Sequence, residues 1–369
     1  VNFDRKKNTQ FDWPLFILVI LVTAIGVLNL YSTSHTVPLT KGSSPYIKQM
    51  YWIVIGLFVM VVAASVDYHI IVRYGYVVYG LSLLFLAIVF LNGKIAHGSQ
   101  RWLTLWIFSF QPSELAKLTV IVVLAKYISE KKISETFGIR DLAVPFFLVL
   151  VPFVFVVTQP DLGTAMFLWI IFFSIVLFIG IRKKTFVTLA TLGGACVPAG
   201  WFFLKDYQRQ RIMTFLNPER DPLGSGYHII QSMIAVGSGG LRGKGLMQGT
   251  QTQLKFLPEQ QTDFVFSVFA EEWGFIGVVI LLTLFLMMIL WGVKIARQSR
   301  DMSGMIIAYG VTAYIFWGVL INIGMVIGVF PVVGIPLPFF SYGGSSMVVL
   351  MMGIGLLMNV SMRRFMFQP

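Results

Sequence analysis

LKFLPEQQTDFVFSVFAEEWGFIG, residues 254–277, is where a long polar stretch gives way to an apolar one. Pro258 breaks the chain, Thr262 is placed to cap, and from Phe264 onward the sequence is apolar enough to enter lipid. Asp263 is therefore expected at the first turn of a transmembrane helix, beside the water boundary. At roughly 100° per residue, Ser267, Ala270, Glu271 and Gly274 fall within roughly 80° of Asp263, whereas Phe264 points elsewhere. Lipid does not tolerate a stripe of small and acidic residues, so this face looks at protein or a water-filled cavity.

The rest of the chain fits that setting. Of its 369 residues, 57% are hydrophobic and only 12% charged, and the mean hydropathy is +0.80. A polytopic membrane protein needs this much apolar surface and a soluble core does not. The net charge of +12 gathers at the ends of apolar runs, which argues against nucleic acid as a partner. The single cysteine, Cys196, excludes an intrachain disulfide. The four histidines, His35, His69, His97 and His228, have no metal-ligand spacing.

Ten runs are long enough to cross a bilayer: 14–32, 48–66, 72–91, 111–128, 142–158, 164–181, 185–204, 264–291, 304–329 and 343–362. The first follows Arg5, Lys6 and Lys7 without a small-residue cleavage site, so it reads as a retained anchor. With the N-terminus inside, sixteen Lys and Arg fall on the cytoplasmic side. The short outer loops hold four, namely Lys41, Lys48, Lys94 and Arg101. The expected fold is an all-α polytopic domain over 1–369 with about ten transmembrane helices, N-in and C-in. A large outer loop, about 205–262, joins helices 7 and 8.

Within that loop, Tyr207–Leu216 reads as an interfacial helix, and Ser225 starts another that stops near Gly237. The glycines of GSGGLRGKG (237–245) match no nucleotide-binding spacing and read as a flexible turn with exposed amides. HGSQRWLTLWIFSFQPSELAK (97–117) places Trp102, Trp106, Phe108 and Phe110 at the headgroup belt, with Pro112 in the first turn of the next helix. TQPDLGT (158–164) and PVVGIPLPFFSYGGSS (331–346) are further outer turns.

Charges inside apolar runs are costly and carry either structure or function. Glu114 and Lys117, three residues apart, are a structural ion pair or a site where Lys117 meets an anionic ligand. Asp161 and Asp263 are helix caps or site residues. Glu272 points away from Asp263, whereas Glu271 can line the same cavity. Glu114, Asp161, Glu259, Asp263 and Glu271 all map outward, beside Arg101, Arg209, Arg211, Arg242, Lys244 and Lys255. Carboxylates among cations at a membrane boundary suit a lipid-linked phosphate, either as the substrate of an enzyme or as the cargo of an anionic-lipid transporter.

RWLTLWIFSFQPSELAK, TQPDLGT, GYHIIQSMIAVGSGGLRGKG, KFLPEQQTDFVFSVFAEEWG and PFFSYGGSS, in this order, resemble the SEDS family of bacterial cell-wall polymerases. KFLPEQ and GSGGLRGKG look more like its elongation (RodA-like) branch than its division branch. The resemblance implies a peptidoglycan glycosyltransferase in the bacterial cytoplasmic (inner) membrane, active on its outer side for cell elongation and rod shape. It would polymerise lipid II and release undecaprenyl diphosphate. Asp263 then takes the catalytic role, as general base for the acceptor hydroxyl or as ligand of a divalent cation, Mg2+ or Mn2+. No nucleotide or organic cofactor is implied. Glu114 and Lys117 match the family's buried pair and Asp161 its acidic outer turn, as substrate-binding residues. Arg101 and Arg211 are expected to contact diphosphate or sugar. Where many relatives carry His, this chain has Gln261, so no imidazole can carry a proton beside Asp263.

The implied partners are a class B penicillin-binding protein, a PBP2-like transpeptidase, and other elongation-complex membrane proteins. The large outer loop and the last two spans are the expected docking surfaces. Two other functions fit the same residues: a lipid II flippase, and a non-catalytic scaffold for the transpeptidase. A flippase would want acids in the inner halves of the spans, and these are lacking.

Overall fold

The structure is a computed structural model. It describes residues 11–35, 44–92, 94–96, 99–105, 108–131, 137–203, 206–220, 225–254, 256–257 and 259–363. The expectations for Arg5, Lys6, Lys7, Lys41, His97, Trp106, Lys132, Lys255, Pro258 and Arg364 lie outside these residues.

Each of the ten apolar runs is helical, one of them with a break. In chain order the elements are α1 (Trp13–His35), α2 (Pro45–Ser65), α3 (Tyr68–Arg73), α4 (Gly75–Asn92), β1 (Lys94–Ala96), β2 (Ser99–Leu105), β3 (Phe108–Phe110), α5 (Pro112–Glu130), α6 (Ala143–Thr158), α7 (Leu162–Ile179) and α8 (Lys183–Phe203). There follow α9 (Asp206–Leu216), a 3-10 turn (Pro218–Arg220), α10 (Ser225–Ser238), α11 (Thr250–Gln253), α12 (Val265–Gln298), α13 (Met302–Val326) and α14 (Gly344–Arg363). Among the described residues, seven helices are long and apolar enough to cross a membrane: α1, α2, α7, α8, α12, α13 and α14. α4 and α6 are shorter apolar helices, and α5 carries Glu114, Lys117 and Lys126. This is a multi-pass membrane protein.

α13 and α14 form the centre, with 72% and 78% of their apolar stretches buried. α14 lies close along α2, where a Cβ at Gly355 would overlap the Met60 carbonyl. Small residues that let backbones approach are what hold apolar helices together in lipid. Among the described residues no large hydrophobic of α14 is exposed, whereas α13 shows Phe316 and Leu320. At the end of the bundle away from Asp263, Asn359 Nδ2 donates to the carbonyls of Ala63 (2.9 Å), Ala64 (3.1 Å) and Val66, closing the end of α2.

The strands β1, β2 and β3 add a three-stranded antiparallel sheet, in that order, to the helical frame. Their sequence had suggested only headgroup-belt aromatics. Leu103 pairs with Phe110 and Leu105 with Phe108. The sheet is tied to α14, since Ser345 Oγ donates to the Ser109 carbonyl at 3.3 Å and accepts from the Gln111 amide at 3.0 Å. It delivers Arg101 to the Asp263 end of the bundle.

The run expected at 264–291 is two helices. Gly274, at φ 64° and ψ −166°, interrupts α12. The freed backbone groups are taken up by the Gly-rich segment. The amides of Lys244 and Gly245 donate to the carbonyls of Glu271 and Glu272, both at 3.0 Å. The amides of Phe275 and Ile276 donate to Gly240 (2.8 Å) and Leu241 (3.1 Å). Broken helices survive in a membrane when protein re-satisfies the backbone in this way. The glycines allow that approach, because a Cβ at Gly243 would overlap the Glu272 carbonyl. The exposed flexible turn expected here is therefore a strap whose amides are used.

Candidate active site

Residues 259–264 form a tight turn: the amides of Thr262 and Phe264 donate to the Glu259 carbonyl at 3.2 and 3.3 Å. Phe264, not Thr262, is the N-cap of α12, with no side-chain cap. Thr262 Oγ1 donates instead to Glu259 Oε2 at 3.0 Å. The capping roles considered for Thr262 and Asp263 are thus not realised. The turn is held through its carbonyls. Gln261 accepts from the Tyr342 amide (2.9 Å), Thr262 from Ser341 Oγ (2.6 Å), Asp263 from Asn322 Nδ2 (3.0 Å) and Val265 from Asn29 Nδ2 (3.0 Å). Among the described residues, no hydrogen bond or ion pair engages the Asp263 carboxylate. A half-buried carboxylate on so well anchored a backbone is available for chemistry.

Four other segments converge on it. In the 331–343 loop, a Cβ on Gly334 would lie 3.6 Å from Asp263 Oδ2. The same loop meets α7, where Gly163 abuts the Val333 carbonyl, and α9, where Arg211 Nη1 donates to Val332 O at 3.3 Å. Asp161 caps α7 through the Thr164 amide (3.2 Å) and pairs with Arg101 Nε at 3.6 Å. Arg101 also donates to the Pro160 carbonyl. All four non-glycine residues with positive φ among those described, Pro160, Met247, Glu259 and Phe339, lie in these loops or in the strap. Such conformations persist where the surrounding structure over-determines them.

The charges act on one another. Burial first, then the Glu259 carboxylate, push the Asp263 pKa up to about 6; Arg211 and Arg101 pull it down, and Asp161 pushes it up. An ordinary Asp titrates near ~3.9 and is a poor base at neutral pH, so this setting suits proton abstraction. Glu259→Gln removes a negative neighbour, which favours ionisation of Asp263 and lowers its pKa. The acid limb of the kcat–pH profile should move to lower pH, and Arg211→Gln should move it to higher pH. Profiles that coincide with wild type would separate these charges from the reacting group.

The structure brings together Asp263, Asp161, Arg101 and Arg211, while Glu114 and Lys117 engage each other inside the bundle. Lys117 Nζ pairs with Glu114 Oε1 at 2.7 Å, and Tyr314 OH donates to Glu114 Oε2 at 2.9 Å. Lys117 also lies over the rings of Tyr314 (4.8 Å) and Phe167 (5.1 Å). The pair joins α5, α7 and α13 as an internal tie. Lys117→Met strands a buried carboxylate and should cost about 3–5 kcal/mol in unfolding free energy. Adding Glu114→Gln should recover much of that loss in a double-mutant cycle, and additive losses would refute the tie.

Glu271 does not share the Asp263 cavity. It is fully buried and held by the strap, through Lys244 Nζ (2.7 Å), Thr250 Oγ1 (3.1 Å) and the Gln251 amide (3.1 Å). Glu272 faces α1, where Ser32 Oγ donates to it, as its opposite direction predicted. Asn29, Asn322 and Ser341 were missed. Asn29 and Asn322 are amides inside apolar spans, and that was their available signal.

No group of three His, Cys, Asp or Glu able to hold a metal occurs among the described residues. A divalent cation shared with substrate phosphates still fits, because such ions take one or two carboxylates and complete their shell from phosphate and water. Asp263, with Glu259 beside it, has the oxygens to do so.

The architecture and site define a polytopic membrane protein with a carboxylate set among cations at one end of its helix bundle. A family model described as "Cell cycle protein", FTSW_RODA_SPOVE, matches residues 12–365. The chain belongs to the FtsW/RodA/SpoVE family. It is 43% identical over 313 residues to the peptidoglycan glycosyltransferase MrdB of Escherichia coli K12, covering 85% of this chain and 84% of that one. It is 38% identical over 360 residues to the stage V sporulation protein E of Bacillus subtilis, covering 96% and 98%. A chain from a solved peptidoglycan synthase complex, described as coordinating polymerization and crosslinking, superposes with a TM-score of 0.82. That match has 35% identity and covers 96% of this chain and 98% of the other.

Proposed function

We propose that the chain is a peptidoglycan glycosyltransferase that polymerises lipid II into glycan strands for cell elongation and rod shape. Asp263 is its reacting carboxylate. The observation that carries this is the unengaged Asp263 carboxylate, on a backbone anchored through four carbonyls and flanked by Arg101 and Arg211. In this reading Asp263 takes the proton of the acceptor sugar hydroxyl as the new glycosidic bond forms. The bond between donor sugar and diphosphate breaks, and Arg101 and Arg211 receive the diphosphate charge. Asp161 orients Arg101. Glu114 and Lys117 support the floor of the site from α5. A divalent cation held by Asp263 and Glu259 would neutralise the leaving diphosphate when bound.

The sixteen-to-four distribution of cations supports ten crossings with both termini in the cytoplasm. The site then opens on the extracytoplasmic face of the bacterial inner membrane, where loop 205–262 lies. The solved relative's place in a synthase complex supports a PBP2-like transpeptidase as partner.

Purified protein is incubated with lipid II and Mg2+ or Mn2+, alone and with its transpeptidase, and the products are resolved on a gel. Glycan polymer supports the reading. Lipid II scrambled across vesicles without polymer would replace it with the flippase, and neither activity would leave the scaffold.

A further inference from the structure

Asn322 and Asn29 sit in apolar helices and are fully buried. Each points its amide at the turn that carries Asp263. From α13, Asn322 Nδ2 donates both to the Asp263 carbonyl at 3.0 Å and to the Ile335 carbonyl at 2.8 Å. From α1, Asn29 Nδ2 donates to the Val265 carbonyl at 3.0 Å. The two helices grip the backbone at Asp263 itself and two residues beyond it.

The Ile335 bond gives Asn322 a further effect. Ile335 follows Gly334, the residue whose α-carbon backs the Asp263 carboxylate. A single amide group therefore sets the spacing between the carboxylate-bearing turn and the wall behind it. Neither carbonyl has a helical partner to fall back on, since both lie in irregular backbone. An aspartate in the same place would have no proton to give either oxygen.

The short helix after Asp263 needs such support. Val265 and Glu272 are seven residues apart, roughly 10 Å along a helix, yet they meet Asn29 and Ser32, which lie only about 4.5 Å apart along α1. The segment is tied to α1 at both of its ends, and the break at Gly274 uncouples it from the rest of α12.

We propose that Asn322, assisted by Asn29, is the positioning residue for the Asp263 carboxylate. This rests on Asp263 being the reacting group. Misplacing a catalytic group by about 1 Å can cost about 10²-fold in rate.

The test measures lipid II polymerisation by the full-length protein, with its transpeptidase present, for Asn322→Ala, Asn29→Ala and Asn359→Ala. Asn359 is the internal control, a buried asparagine that closes carbonyls at the far end of the bundle. Asn322→Ala should lower kcat about 10²-fold with KM within about threefold, and Asn29→Ala should lower it less. Asn359→Ala should lower Tm while kcat per folded molecule stays within about twofold. If Asn322→Ala does not fold, Asn322→Gln keeps an amide donor but displaces it, and should show the same split in milder form. Wild-type kcat in the folded Asn322 variant, or an equal loss in Asn359→Ala, overturns the proposal. Activity persisting in Asp263→Ala would instead overturn the reading beneath it.

Discussion

Asp263→Asn is expected to abolish glycan polymerisation, lowering kcat by at least about 10³-fold, while Tm stays within a degree or two of wild type. The rate loss is at the scale of a general base and is greater if the same carboxylate also holds a cation. The unchanged Tm follows from geometry. The Asp263 side chain makes no hydrogen bond or ion pair among the described residues, and its backbone is held by Asn322, which the substitution leaves alone. The amide is close in size to the carboxylate and carries no charge to bury, so the folded state loses no contact. Thermal melting by tryptophan fluorescence, beside the polymerisation gel, checks both halves. An Asp263→Asn protein that melts well below wild type would show that the carboxylate holds structure instead. A folded one that still polymerises would remove Asp263 from the chemistry.

The second large effect is structural. Gly274→Ala should cost about 3 kcal/mol or more, enough to cut the yield of folded protein sharply. At φ 64° and ψ −166° the backbone is in a region that L side chains rarely adopt. A methyl there would also overlap the Gly243 amide nitrogen. The obvious escape, letting α12 run on as one straight helix, would take the carbonyls of Glu271 and Glu272 away from Lys244 and Gly245. The strap would then lose its seat, and Lys244 would lose Glu271. Gly277 lies in regular helix, so Gly277→Ala tests packing at one helix turn's remove. It would press on Trp273 Cβ yet leave the break intact, and should destabilise less. Equal effects at 274 and 277 would show that crowding, and not the break, dominates.

These two residues mark how far the sequence could be read. Asp263 stood out because a carboxylate at the edge of an apolar run is conspicuous, and its burial beside Glu259 follows from local crowding. Gly274 was silent. A glycine in an apolar run fits a straight helix as well as a broken one, and only the amides of 244 and 245, about thirty residues earlier in the chain, decide between them. For the same reason the glycines of 237–245 looked like a loose turn: their partners are carbonyls of another segment. The multi-pass helical fold was legible because lipid imposes length and composition on the helices that cross it. The three-stranded sheet was hidden by its aromatics, which suit a membrane interface as well as a strand. Glu271 shares a helical direction with Asp263, but the strap claims it before the cavity can.

The Glu114–Lys117 tie also has a consequence for how the protein is made. Tyr314, which completes the site around Glu114, is synthesised two hundred residues after it. When α5 first reaches the membrane, only the intrahelical partner exists, one turn away on the same face. The pair therefore leaves these two charges of α5 already neutralised before α7 and α13 arrive to pack around them. A chain with either charge alone would present the translocation machinery with a helix that belongs in water, and its defect would arise during biogenesis, before any lipid substrate is met.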